Sequence, residues 1–329
     1  MAESTKAEGV AARVFNDYLL AHALYALDRA GILRELRTCG LPAHQSGQGE
    51  KNMALECCLA LMQDAGLACF DDQNWRLTDA GVDASRNIGY FVWAVGGYSA
   101  YMSALTDFLQ GDNTIPSRND ALVALGSGMI GAAYLQAEVD SVLEGVRPRA
   151  LADLGCGDAT RLAHFLVHHP GAHGIGIERS SAATAIAQKN IAANNLAERM
   201  IVVNADCLDR LETVAFPTNN VDCVVSFFLL HDLLSQMQGS FAKVAEAVLR
   251  NFPNAETVIF ADTTIDDWRS RSAAPPIFAR GFQLVHTMMG VKTRTLQEYI
   301  ECFSGAPLNL ASTVPLGVPN SYLFLFSRR

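Results

Sequence analysis

An α/β fold with a mostly parallel sheet, preceded by a mostly helical domain, is the architecture this sequence predicts, on three observations. From Arg149 onward, short apolar runs alternate with helical stretches. The first of those runs ends in a turn carrying Gly155 and Gly157 and leads straight into a helix. Residues 11 to 110 instead repeat apolar side chains at spacings of three, four and seven, beginning with Val14, Leu19, Leu20, Ala23, Leu24 and Leu27, which is the period of a helix with one apolar face. Strands that alternate with helices imply a parallel sheet covered on both faces, since right-handed crossovers put the helices there. In such sheets ligands bind beyond the carboxyl ends of the strands.

In the first domain a helix ends near Gly31, and a second, over "NMALECCLALMQDAG", stops at Gly66. Two short strands follow around the polar turn Asp71 to Asn74. This is the helix-helix-hairpin outline of a winged helix. Between Met53 and Gly66 there is no basic residue, only Glu56 and Asp64, so the phosphate-neutralising term that drives DNA binding is missing. The segment "YFVWAVGGYSAYM", with Trp93, Tyr98 and Tyr101, supplies apolar surface for the core or for a homodimer interface. Residues 1–110 are therefore assigned to a helical dimerisation domain, 111–147 to a helical connector and 148–329 to the α/β domain.

Composition narrows the setting. The 329 residues are 50% apolar and 18% charged, as in ordinary globular proteins. Net charge −9, from 34 acidic against 25 Lys and Arg, argues against a nucleic-acid partner. The eight cysteines are scattered without a CxxC pair and read as small core side chains in a reducing compartment. The opening "MAESTKAEGVAARVF" lacks a basic segment followed by an apolar one, and no stretch offers about 18 uninterrupted apolar residues. The expected location is cytoplasmic, with no membrane partner.

The chemistry lies at the predicted strand ends. The turn "DLGCGDAT", Asp153 to Thr160, brings the backbone close to a ligand, but Thr160 and Asp158 do not suit a dinucleotide fingerprint, because Asp158 would repel a pyrophosphate. The ligand at this point is cationic or neutral. Glu178 closes the second predicted strand, where a carboxylate can accept ribose hydroxyls, and Asp206 closes the third, placed to accept from an adenine amino group. The fourth, "VDCVVSFFLL", runs into His231 and Asp232.

With those acids in order, the region from about 149 to the end resembles the class I S-adenosylmethionine-dependent methyltransferases, whose glycine motif reads acid-x-Gly-x-Gly-x-Gly; here Ala159 stands at the last glycine. The first domain is similar to the dimerisation domain of small-molecule O-methyltransferases. The resemblance implies that Asp153, Gly155, Gly157, Glu178 and Asp206 bind S-adenosylmethionine. In the O-methyltransferases a histidine followed by aspartate at this place is the general base, which His231 and Asp232 match.

A second histidine, His286 in the apolar stretch "GFQLVHTMMG", lies 55 positions after His231. Two histidines and one carboxylate converging on a pocket suit iron, with zinc as the competing occupant. Adjacent residues on a straight strand point to opposite faces, so His231 and Asp232 can act together only if the backbone turns there. The pattern resembles the metal-dependent α-keto acid C-methyltransferases. That resemblance implies a metal held by His231, Asp232 and His286, a 2-oxo acid substrate methylated at C3, and Arg118 on the substrate carboxylate. Asp107 and Asp112 favour 5-guanidino-2-oxopentanoate over phenylpyruvate or a branched 2-oxo acid. Two alternatives stay open: a metal-free O-methyltransferase with His231 as base, and a non-enzymatic winged-helix regulator.

Overall fold

The computed structural model describes residues 2–42, 50–211, 216–266, 277 and 279–329, with side chains described from residue 9 onward. The chain forms two compact units, Met1–Ser99 and Ala100–Arg329. The boundary thus falls about ten residues before the expected one, and the connector expected over 111–147 forms two helices, Asp120–Tyr134 and Gln136–Val146, within the second unit.

The first unit is built on the helix Ala2–Arg29, which Gly31, with φ +79, separates from Ile32–Thr38. The helix Glu50–Asp64 follows, then strands β2 (Ala68–Asp71) and β3 (Asn74–Leu77), with the two-residue β1 (Leu41–Pro42) completing a sheet in the order β1-β3-β2. Asp72 and Gln73 both take positive φ, the twist a tight hairpin needs. Leu36, Leu41 and Leu59 form a small core, with Trp75 packed against it. The aromatic segment is core rather than surface: Tyr90, Trp93 and Tyr98 are buried, and the Trp93 and Tyr98 rings lie 4.4 Å apart.

In the second unit seven strands form one sheet: β4 (Ala150–Leu154), β5 (His173–Glu178), β6 (Met200–Asn204), β7 (Cys223–Phe227), β8 (Thr257–Thr263), β9 (Leu308–Pro315) and β10 (Ser321–Arg328). Their order is β6-β5-β4-β7-β8-β10-β9. The first five are parallel, and β10 pairs antiparallel with both β8 and β9. Strands β4 and β7 are buried along their whole length, as continuous apolar runs in a doubly covered sheet should be. An aromatic core of Phe241, Phe260, Phe303, Phe324 and Phe326 packs between helices and the β8–β10 half of the sheet.

Two details depart from the sequence reading. The edge strand β9 carries the mixed sequence LNLASTVP and has no apolar run to announce it. Strand β7 stops at Phe227, four residues before His231; Phe228 takes φ +55, and a helix begins at Leu230. Among the described residues no single helix is long and apolar enough to cross a membrane, although Asp120–Tyr134 and Gln136–Val146 pass together as a pair bent by 76°.

The alanine that departs from the glycine motif sits in strained backbone. Ala159 is fully buried with φ +58, just before the helix Thr160–His168, and so occupies the left-handed region where a Cβ is strained. Ala159→Gly should therefore stabilise the protein by about 1 kcal/mol, the αL relief being partly offset by glycine's chain entropy. A thermal melt that fails to rise would show the strain to be absorbed elsewhere.

Candidate active site

Both halves of the expected site lie at the carboxyl edge of the parallel strands. Asp153, next to last in β4, is buried, and burial pushes its carboxyl up to about 7, with the Arg161 guanidinium working against the shift and Glu178 and Asp158 adding to it. Gly155 and Gly157 take φ +69 and +58. A Cβ at Gly155 would come 2.6 Å from the Leu229 side chain, so only glycine leaves room for the segment entering from β7. Glu178, at the end of β5, accepts the Gly157 N–H at 3.0 Å and the Ser180 N–H at 2.7 Å. That carboxylate ties the glycine turn to the start of the next helix and keeps lone pairs for a further donor. Asp206 lies just past β6 and accepts the Leu208 N–H at 2.9 Å.

On the other side of β4, the break at Phe228 carries His231 and Asp232 into the first turn of the helix Leu230–Gln236. The strand-end placement expected from sequence is thus corrected to a helix start, which supplies the backbone turn that lets both residues serve one site. His231 is held by a residue the sequence reading passed over. Asp262, near the end of β8 and fully buried, accepts the His231 backbone N–H at 2.7 Å and its ring Nδ1–H at 2.8 Å. The signal was present: "ETVIFADTT" is another apolar strand closing on an acid, as in β5.

With Nδ1 committed to Asp262, Nε2 of His231 faces Asp232, 3.8 Å from its Oδ2. Burial opposes a charge on this ring, yet Asp262 and Asp232 outweigh it and hold the imidazole up at about 9. His286 sits in the helix Ala279–Met288, its ring centroid 4.5 Å from that of His231 and perpendicular to it. Its Nδ1 donates to the Phe282 carbonyl at 2.7 Å, which leaves Nε2 as the acceptor nitrogen. Burial, together with the neighbouring His231, pushes His286 down to about 3, so this ring is neutral.

Arg118 precedes the helix Asp120–Tyr134 and donates from Nε to Asp120 at 2.6 Å. It lines a cavity of about 680 Å³ together with Asp120, Arg179, Ser180 and Ser181. Its charge acts on both His231 and His286. Tyr101, buried, belongs to the same neighbourhood: burial raises its hydroxyl, and Arg118, Asp120 and Asp232 all act on it.

The donor types suit a divalent cation. In both imidazoles Nδ1 is held by an oxygen, of Asp262 for His231 and of Phe282 for His286, an arrangement common around metals. The spacing is open: among the described residues no three His, Cys, Asp or Glu side chains are grouped to hold an ion as they stand. A cation would also have to displace the proton that Asp262 and Asp232 keep on His231.

A glycine turn after the first parallel strand and acids at the next two strand ends fit an S-adenosylmethionine-dependent methyltransferase, and the comparisons with known proteins support that the chain is one. Residues 151–251 match the family model described as a methyltransferase domain. The chain is 25% identical over 340 residues to an indolepyruvate C-methyltransferase of Streptomyces griseus, covering 100% of this chain and 98% of that one. It is 25% identical over 289 residues to a 2-ketoarginine methyltransferase of Streptomyces arginensis, covering 82% and 80%. Its fold matches a putative O-methyltransferase of Nostoc punctiforme with a TM-score of 0.69 at 16% identity, covering 97% and 99%.

Two substitutions separate the halves of the site. Glu178→Ala should weaken S-adenosylhomocysteine binding by about 1 to 3 kcal/mol in calorimetry, through loss of charge-assisted hydrogen bonds. Asp262→Asn should leave that affinity unchanged and lower turnover by roughly 10- to 100-fold, because the His231 ring loses its orienting charge. Equal loss of cofactor binding in both variants would contradict the division.

Proposed function

We propose that the chain methylates C3 of a 2-oxo acid with S-adenosylmethionine as methyl donor, with the assistance of a divalent or trivalent cation, iron in preference to zinc. The observation that carries this reading is the pairing of His231 with His286, perpendicular rings 4.5 Å apart beside Asp232 at the ligand side of the sheet. A metal-free phenol methyltransferase needs one histidine; a second, neutral, buried imidazole beside it is not required for that chemistry. The names of the two Streptomyces relatives support the same substrate class.

In this reading His231, Asp232 and His286 would hold the cation, and Arg118 would take the substrate carboxylate as a charge-assisted pair. Asp153, Glu178 and Asp206 would hold the amino, ribose and adenine parts of the methyl donor. When bound, the cation supplies Lewis-acid polarisation of the 2-oxo group and the donor supplies an electrophilic methyl on a sulfonium. Methylation at C3 would require the negative charge of the deprotonated 2-oxo acid to be met, which the held cation and Arg118 would do. The protein's part is positional: Asp262 fixes the His231 ring, and Phe282 fixes that of His286, at 2.7 Å from its carbonyl.

Asp107 and Asp112 are both exposed, and Asp112 accepts the Thr114 N–H at 2.8 Å, so neither supports a guanidinium pocket. A single observation favours a second reading, in which His231, oriented by Asp262, is the base for a phenol.

Untagged protein should retain metal, and chelation should abolish methylation of indolepyruvate, phenylpyruvate or 5-guanidino-2-oxopentanoate. His231→Ala, Asp232→Ala and His286→Ala should each lose metal and C3 methylation while binding S-adenosylhomocysteine as the wild type does. Full methyl transfer to a phenol after exhaustive chelation would select the second reading.

We further propose a homodimer through the first helix. Val10, Val14, Phe15 and Tyr18 on it are 52 to 62% exposed and lie along one side, an apolar stripe too large to leave in water. Light scattering should give twice the 35.5 kDa chain mass, and Phe15→Asp combined with Tyr18→Asp should halve it. A wild-type monomer at micromolar concentration would overturn this.

A further inference from the structure

Arg161 is a charged side chain at the cofactor cleft that neither the glycine motif nor the histidine pair uses. It is the second residue of the helix Thr160–His168, directly after the glycine turn. Its guanidinium carbon lies 3.8 Å from the centroid of the Phe227 ring, at the last residue of β7. Since β7 neighbours β4, the guanidinium spans the carboxyl edge between the strand that carries Asp153 and the strand that leads to His231. A Cβ at Gly131, on the helix Asp120–Tyr134, would collide with it, so that helix carries a glycine where the guanidinium needs room.

The surroundings of Arg161 are unbalanced. Asp153 and Asp158 both act on it electrostatically, but among the described residues no hydrogen bond or ion pair engages its five N–H donors. Asp153, Asp158 and Glu178 place three carboxyl groups at the glycine turn, where Glu178 and Asp158 both act on Asp153. The amino-acid end of S-adenosylmethionine carries an ammonium and a carboxylate near its sulfonium. Three acids suit the two cations and repel the carboxylate, which therefore needs a cation of its own at this turn.

We infer that Arg161 anchors the carboxylate of the amino-acid end of S-adenosylmethionine, stacked on Phe227 with its donor edge toward the cleft. A planar fork suits a carboxylate in bidentate fashion, and the stacking fixes the plane in advance. The glycine turn thus reads both charges of the amino acid: Asp153 the ammonium, Arg161 the carboxylate. This rests on the cleft being the cofactor site, and the alternative is that Arg161 is only a structural counterion to Asp153.

Calorimetry with full-length protein separates these, using S-adenosylhomocysteine, its decarboxylated amine, and 5′-methylthioadenosine, which lacks the amino-acid end altogether. Arg161→Gln should weaken S-adenosylhomocysteine roughly 10- to 100-fold, with Arg161→Lys recovering part of the loss, while methylthioadenosine affinity changes less than about twofold. The decarboxylated amine should bind the wild type weakly and lose nothing further in Arg161→Gln. Parallel loss of S-adenosylhomocysteine and methylthioadenosine, or no loss of either, overturns the inference. Should Arg161→Gln not fold, the same comparison is made with Arg161→Lys, and wild-type protein that binds S-adenosylhomocysteine and its decarboxylated amine equally overturns it as well. Wild-type protein that binds neither S-adenosylhomocysteine nor methylthioadenosine would instead remove the cofactor cleft itself.

Discussion

One buried carboxylate sets the geometry of the histidine half of the candidate site. Asp262 is fully inaccessible and meets three donors: the His231 backbone N–H, the His231 ring N–H, and the Thr263 N–H at 2.7 Å. A buried charge is tolerated only when its acceptor sites are filled. For His231 to present both its backbone and its ring to β8, the chain must leave β7 early, and the left-handed Phe228 makes that exit, its N–H held by Ala261 at 2.7 Å. A bulky residue with positive φ is costly and persists where the surroundings fix it. The same exit throws Leu229 against Gly155. The glycine at that position therefore answers to the histidine segment as much as to a ligand, and the glycine turn packs directly against the segment that leads to His231.

Charge is distributed unequally between the two histidines. Two imidazolium ions with rings 4.5 Å apart in a buried site would repel each other, so only one can be charged. Asp262 and Asp232 decide in favour of His231, and His286, with a carbonyl as its fixed partner, stays neutral. The result is a pair of nitrogens facing one site with very different proton affinities.

The parallel sheet was legible because buried parallel strands are apolar runs with no alternation to misread, and because three of them close on Asp153, Glu178 and Asp206. The edge strand β9 was not, since an edge needs no apolar run and LNLASTVP has none. The exit from β7 was misread by four residues because "FFLL" is equally a strand end and a buried helix start, and only the Phe228 dihedral separates the two. Asp262 and Arg161 went unnoticed for a common reason. Each acts across the sheet on a residue distant in sequence, Asp262 on His231 and Arg161 on Phe227, and spacing along the chain carries no trace of such a pair. The second histidine was found, because a titratable side chain in an apolar helix stands out against the hydrophobic period.

The fold is shared with O-methyltransferases, so the difference between methylating oxygen and methylating carbon has to come from side chains rather than architecture. A phenol, with a pKa near 10, gives up its proton to a single well-placed imidazole. A C3–H beside a ketone is a far weaker acid, and its carbanion is accessible only when the charge that develops on the ketone oxygen is met by something positive. In the proposed reading, His286 and Asp232 would meet that need through the cation they would help to hold, and Arg118 directly, as a positive charge felt at both imidazoles. Carbon methylation on such a scaffold would thus need electrophilic assistance added to the Asp262–His231 pair, and in the proposed reading His286 is the residue that marks that addition.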